Sequence, residues 1–299
     1  MKIDDAVQAT LLLPSEKPSL LRSGFRIFRA VAIVLLVVMA LFIASVAGFV
    51  VWVIGPSKAT QWITRPFFPP AMEAVRYSPR DVLADLGGMS VKIPHYFADF
   101  VEYNGDPGWG EKRQGPAPVR TQSSKLKSFG YNTRFPDMAG LSSPELIGNK
   151  ASFNIYNTTW INVGVTTGEF FSGTGFLDRQ TADRELPNTG VGLQNYGKLP
   201  TKEYGLTVYA PLGIDPKTNK PNRVHPLADD VFVHRREDGK VDAFIVCSNR
   251  PHQAAPCSHS FSLEPYAKAE ISVIYRRGML AQWQEIQRQV TAQLAGFKN

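Results

Sequence analysis

Asp230-Val231-Phe232-Val233-His234-Arg235 is followed by Arg236-Glu237-Asp238-Gly239 and then by Lys240-Val241-Asp242-Ala243-Phe244-Ile245-Val246-Cys247. Two β-rich runs are thus joined by four polar residues ending in Asp-Gly. That dipeptide suits the positive φ of a tight turn, so the stretch reads as an antiparallel hairpin. Working outward, His259 to Leu263 reads as a third strand. Glu270 to Arg276 reads as a fourth, with Ile271, Val273 and Tyr275 alternating onto one face. Met279 to Phe297 then changes period. Leu280, Trp283, Ile286, Val290 and Leu294 recur at steps of three and four, which builds one apolar stripe on a helix. Gln282, Glu285, Gln287, Arg288 and Gln289 cover its other side. Glutamine prevails there over lysine and arginine, so the helix is expected to lie across a sheet and not on a membrane surface.

Upstream of the hairpin, Met89 to Ile93, Phe97 to Tyr103, Ala151 to Tyr156, Thr159 to Thr166 and Gly205 to Ala210 read as further strands. Asn104-Gly105-Asp106-Pro107-Gly108 supplies turn chemistry. Ser78 as a cap, Pro79 at the first helical position and Asp81 predict a short helix that Gly87-Gly88 ends. There is no internal repeat, and 24 glycines with 22 prolines imply many turns. The expected class is α+β: a sheet-rich, mainly antiparallel domain closed by a C-terminal amphipathic helix.

Ala30 to Ile54 is an apolar run in which Ser45 alone is polar. At about 1.5 Å per residue it is long enough to span a bilayer core of about 30 Å. It also runs well past Ser45-Val46-Ala47, the one plausible signal-cleavage site, which favours an uncleaved anchor. Lys17, Arg22, Arg26 and Arg29 precede it, whereas only Lys58 and Arg65 follow closely. The tail is therefore expected inside the cell and the large domain outside. The domains expected are a cytoplasmic tail at 1–29, a transmembrane helix at 30–54, a Pro-rich juxtamembrane stalk with the short helix at 55–88, and a periplasmic β-rich domain at 89–299. Ala40, Ala44 and Gly48 form a small-residue face that lets helices approach closely, and through it the span is expected to pair with itself or another subunit.

The formal charge is +7, of which the tail carries +2. The remainder is mild and unclustered, and it makes no case for nucleic acid. The chain has two cysteines, Cys247 and Cys257, flanking a loop between two strands; in an oxidising compartment they are expected to form a disulfide. With His252 and His259 they also make a loose set of zinc-ligand types. Cys257 and His259 on one strand share a face, as a nucleophile and its base would. Gly173-Thr174-Gly175 opens like a dinucleotide fingerprint, but Asp178 stands where the third glycine belongs. The chain has no Gly-x-Ser-x-Gly, His-Glu-x-x-His or phosphate-loop motif. Two further stretches are of interest for binding. One is an aromatic and acidic cluster (Phe97, Phe100, Tyr103 and Trp109 with Asp99, Glu102 and Asp106), and the other is the basic loop 111–127. Asn157-Thr158-Thr159 is a formal glycosylation sequon.

These features predict a single-pass protein of a bacterial inner membrane whose periplasmic domain binds another protein without catalysis, in the manner of an immunity protein against a secreted toxin. The alternatives are an accessory subunit of an envelope or secretion assembly, and a periplasmic Cys/His hydrolase or transferase. No cofactor and no metal site are expected. The expected partners are the lipid bilayer, through the anchor, and a periplasmic protein.

Overall fold

A computed structural model describes residues 80–107, 111–185 and 190–299. Thirteen strands and three helices follow one another in these residues: β1 Val82–Leu86, β2 Met89–Ile93, β3 Asp99–Tyr103, β4 Leu126–Arg134, α1 Pro144–Ala151, β5 Trp160–Thr167, α2 Phe176–Glu185, β6 Tyr196–Glu203, β7 Leu206–Pro211, β8 Ile214–Asp215, β9 Lys220–Pro221, β10 Asp229–Arg235, β11 Val241–Ser248, β12 Pro256–Ser262, β13 Ala269–Arg276 and α3 Trp283–Ala295. Nine of the strands form one sheet in the order β3-β4-β5-β13-β12-β11-β10-β7-β6, and every pairing in it is antiparallel. The sheet-rich antiparallel domain is as the sequence predicts. The apolar run at 30–54, its Ala40/Ala44/Gly48 face and the stretch up to residue 79 lie outside the described residues. Among the described residues no helix is long and apolar enough to cross a membrane.

The helix α3 packs its stripe onto the inner sheet face, where Trp283, Ile286, Val290 and Leu294 are buried against Phe261, Ile271, Val273 and Tyr275. Each such side chain contributes about 1.5–3 kcal/mol by leaving water. The predicted helix start at Met279 is instead a 3-10 stretch over Arg277–Gln282, and the α-helix begins at Trp283.

Two sequence expectations give way, and a third element, α2, is one that the sequence does not predict. Residues 82–86 form a strand, not a helix, because Val82, Ala84 and Leu86 alternate into the core at period two. Gly87 and Gly88, at φ +58° and +98°, turn that strand straight into β2. At Gly87 a Cβ would run into the Lys268 carbonyl, so glycine is required there. The hairpin is joined to the chain's end, Lys92 N–H donating to Phe297 O at 2.8 Å, so it belongs to the domain and not to a stalk. Residues 151–156 are not a strand. Ser143 caps α1, accepting from Leu146 N–H at 3.3 Å with Pro144 at the first position, and the helix runs to Ala151 before a turn around Asn154. The third difference is α2, which had no helical period to reveal it because only Phe176, Leu177 and Thr181 face inward.

On the outer sheet face a second, smaller core joins Phe176 and Leu177 of α2 to Tyr196, Tyr209, Val231, Val233 and Phe244. Thus α2 covers the β10–β11 half of the outer face, and α3 covers the inner one.

Candidate functional site

The structure brings Cys247 and Cys257 directly opposite each other on β11 and β12, disulfide-bonded and fully buried. With no free cysteine, neither thiolate is available to zinc or to nucleophilic attack. The bond closes a short loop, so reduction is expected to cost about 2–3 kcal/mol of stability. Urea unfolding with and without reductant measures this, and coincident midpoints would contradict it. His252 is exposed in that loop with its ring against Tyr156, while His259 lies on the far side of the sheet from solvent. The two histidines do not converge.

His259 is 0% exposed among Phe261, Tyr275 and Trp283. Its Nε2 lies 3.1 Å from Gln287 Oε1 and its Nδ1 3.4 Å from the Tyr275 hydroxyl. A neutral ring with the proton on Nε2 fits both, donating to Gln287 and accepting from Tyr275. Burial drives its pKa down to about 3, against a small upward pull from Gln287. Gln287 also donates to the Asp242 carbonyl at 3.2 Å and so ties α3 to β11.

Beside α3 runs a cleft of about 640 Å³, lined by Asp178, Lys240, Asp242, Glu264, Gln287 and Thr291 among others. It continues into a second compartment of about 470 Å³ at His234 and Trp283. A β-bulge shapes the junction. His234 pairs with Ala243 and Arg235 with Val241, so Asp242 is the extra residue. The bulge re-aims its side chain, and Asp242 Oδ1 meets His234 Nδ1 at 2.6 Å. Among the described residues no hydroxyl is hydrogen-bonded to His234. Gly173-Thr174-Gly175 leads into the helix α2. Asp178 in its first turn accepts from Val241 N–H at 3.0 Å, which is a structural role.

The basic loop turns inward on its own chain. Arg113 and Arg120 both bind Asp106, with Arg120 over the Tyr103 ring at 4.2 Å, and Lys127 pairs with Glu169 at 2.7 Å. Against the upward push of burial, Arg113, the Tyr103 N–H and Arg120 hold the Asp106 carboxyl below its ordinary range. Of the aromatic cluster, Phe97 and Tyr103 are core residues, Phe100 is exposed, and Trp109 lies outside the described residues.

Among the described residues no helix covers the outer face of β4, β5, β13 and β12, between α1 at one end and the 168–175 loop with α2 at the other. In register across these strands stand Ser128, Thr166, Glu270 and Ser262; then Gly130, Gly164, Ser272 and Ser260; then Asn132, Asn162, Ile274 and Ser258. All twelve positions are partly or fully exposed, and Glu270 is the one charged member. Trp160 marks the α1 end, its indole N–H donating to Asn149 at 2.9 Å, and Ser172 marks the other, its hydroxyl donating to Glu270 at 3.0 Å. At strand dimensions the face, carried to the flanking β11, measures about 20 Å by 19 Å. Period two foretells such alternation in each strand, but not that the four strands are neighbours.

No protein-family model and no curated protein matches the chain. Among solved structures the chain is similar to Smlt3025, an immunity protein of the Stenotrophomonas maltophilia type IV secretion system. The identity is 18% over 75% of this chain and 95% of that one, with a TM-score of 0.47.

Proposed function

We propose that the chain is a non-catalytic protein-binding domain, held at a bacterial inner membrane by residues 30–54 and exposed to the periplasm, where it neutralises a secreted protein toxin. The observation that carries this is the open outer face: a preformed, nearly uncharged array of Ser, Thr, Asn and Gly side chains around Ile274, on strands that the core makes rigid. Surfaces of that kind, with a central apolar residue and hydrogen-bonding groups about it, suit a protein partner. The face offers about 400 Å², half of what a standard interface takes from one partner, so the α1 and 168–175 rims join it in contact. The disulfide agrees with an oxidising compartment.

The test is contact-dependent competition on solid medium. A strain deleted for this chain is expected to be killed by its parent and to be rescued by a plasmid copy. Ile274→Arg, at a position 47% exposed, should leave the thermal midpoint in place and abolish rescue. A charge at the centre of a docked face costs about 2 kcal/mol or more of binding, roughly thirtyfold in Kd. Survival of the deletion strain beside its parent would refute the immunity role.

A further inference from the structure

At about 400 Å² the open face supplies half of what a stable interface takes from one partner. The rest falls to its rims, and the two rims differ in kind. The 168–175 rim is polar: Ser172 and Thr174 donate to Glu270 and Glu264 at 3.0 and 2.9 Å, and Arg179 donates to the Thr174 carbonyl at 3.1 Å. Phe170, the large apolar side chain exposed there, lies under the Lys127 ammonium at 4.3 Å. The α1 rim is apolar. Within ten residues it sets out Ile147, Phe153, Ile155 and Tyr156, exposed by 40% to 56%. At about 200 Å² for a whole large side chain, their open area comes to about 400 Å², which is the missing half. Apolar area of that size gathered on one turn is what contact sites present.

The turn that carries them is held by its own hydrogen bonds. The Asn154 carbonyl accepts from Asn157 and Thr158 N–H at 3.1 and 2.8 Å, and its Oδ1 accepts from Tyr156 N–H at 2.9 Å. Trp160 ties α1 to β5 through Asn149, and Arg276 ties the turn to β13 through the Thr158 carbonyl at 2.8 Å. The apolar side chains therefore stand on a fixed turn one step past the row Asn132, Asn162, Ile274 and Ser258. Little ordering is left for a partner to impose. From Leu146 to Trp160 Lys150 is the one charged residue, and its ammonium sits over the Phe153 ring at 4.6 Å. Leu212, Ile214, Val224 and Leu227 are exposed as well, but on the connection from β7 to β10, which β11 separates from this face.

We infer that the partner bound on the open sheet face extends over the α1 rim and seats an apolar segment there, on Ile147, Phe153, Ile155 and Tyr156. This rests on the reading of that face as the partner-binding surface. The turn offers one cation and no carboxylate, so the segment it takes carries aliphatic or aromatic side chains and little charge. Buried anchors of this kind govern how slowly a complex dissociates, whereas rim charges govern how fast it forms.

The test uses the full chain in the competition assay, with Phe153→Ser and Ile155→Ser together, beside Phe153→Leu and Ile155→Leu together. It is paired with a photo-activated benzophenone amino acid at position 155, irradiated in intact cells, which joins that position to whatever covers it. The serine pair is expected to lower survival at least tenfold with the thermal midpoint unchanged, because both side chains are exposed. The leucine pair should protect as the wild type does. The probe at 155 should join a second protein, and Ile274→Arg in the same chain should abolish that product, because one partner covers both places. Full protection by the serine pair, with Ile274→Arg still unprotected, overturns the inference and keeps the immunity role. Equal loss of protection in the leucine pair overturns the apolar character of the contact. A product at 155 that Ile274→Arg leaves intact overturns the inference too, since the rim then has another occupant. A wild-type chain that gives no protection yet forms a product that Ile274→Arg abolishes removes the immunity role and keeps the inference. No product at 155 overturns the inference, and no protection by the wild-type chain besides overturns both.

Discussion

Asp230→Asn is expected to lower the stability of the domain by about 3–5 kcal/mol, the usual cost of stripping one partner from a buried ion pair. The Asp230 side chain is 0% exposed and holds two arginines at once. Arg223 meets it in a fork, Nε to Oδ1 at 2.9 Å and Nη2 to Oδ2 at 3.0 Å, and Arg277 reaches Oδ2 at 2.6 Å. Glu203 completes the set, accepting from Arg223 at 3.1 Å, so two anions face two cations. Asparagine keeps the shape but leaves an excess of positive charge in a partly enclosed place. The loss should also be local. Arg223 sits in the turn that follows β9, and Arg277, which also donates to Ser248 O at 3.0 Å, sits where the chain leaves β13 for α3. Asp230 ties both to β10. Urea unfolding measures the total, and hydrogen exchange should show residues 222–228 opening earlier in the variant. A shift below about 1 kcal/mol would mean that water already screens the cluster as it does a surface pair.

What the sequence shows of this fold is what period alone determines. The α3 stripe, the 230–247 hairpin and the alternation of β13 all stand where their spacing puts them, because each is set by residues close in the chain. Three kinds of feature lay beyond that reading. In the first hairpin, Val82, Ala84 and Leu86 do alternate, but five residues of alternation compete with a cap-and-proline signal of similar strength, and tertiary burial decides. For α2, two buried residues suffice because the sheet beneath supplies the rest of the contact, and so short a stripe leaves no period to detect. The buried ion cluster and the open face both assemble from distant positions. Arg277 reaches Asp230 across 47 residues, and the row Gly130, Gly164, Ser272, Ser260 draws on four strands. Seen one strand at a time, the outer positions look like any solvated side. Only the strand order makes them one surface, and among the described residues no helix covers β4, β5, β13 and β12.

Lowering the pH from 6.5 to 4 is expected to remove about 3 kcal/mol of stability through His259 alone. The signal for its burial is present in β12, where Cys257, His259 and Phe261 share a face at period two and the outer two are apolar. Folding places the ring beyond the reach of water and depresses its pKa to about 3, against 6.5 when unfolded. Between those values the unfolded chain binds a proton that the folded chain does not. Stability therefore rises with pH across the window, at about 1.4 kcal/mol per unit, and the contribution is complete above pH 6.5. The structure gives the charged ring no carboxylate to meet: its two partners are the Gln287 amide oxygen and the Tyr275 hydroxyl. Below about pH 4.5 the carboxylates of Asp106 and Glu185, both held below their ordinary range, begin to lose the stabilisation their arginine and hydroxyl partners supply, and they add to the fall. The interval from pH 6.5 to 5 isolates the histidine. Over it the wild-type chain should lose about 2 kcal/mol in urea unfolding. His259→Gln keeps a donor toward Gln287 and cannot titrate. It should start less stable at pH 7 but show a distinctly flatter profile between pH 6.5 and 5. Equal slopes for the two chains would place the acid sensitivity elsewhere and reject a neutral, buried His259.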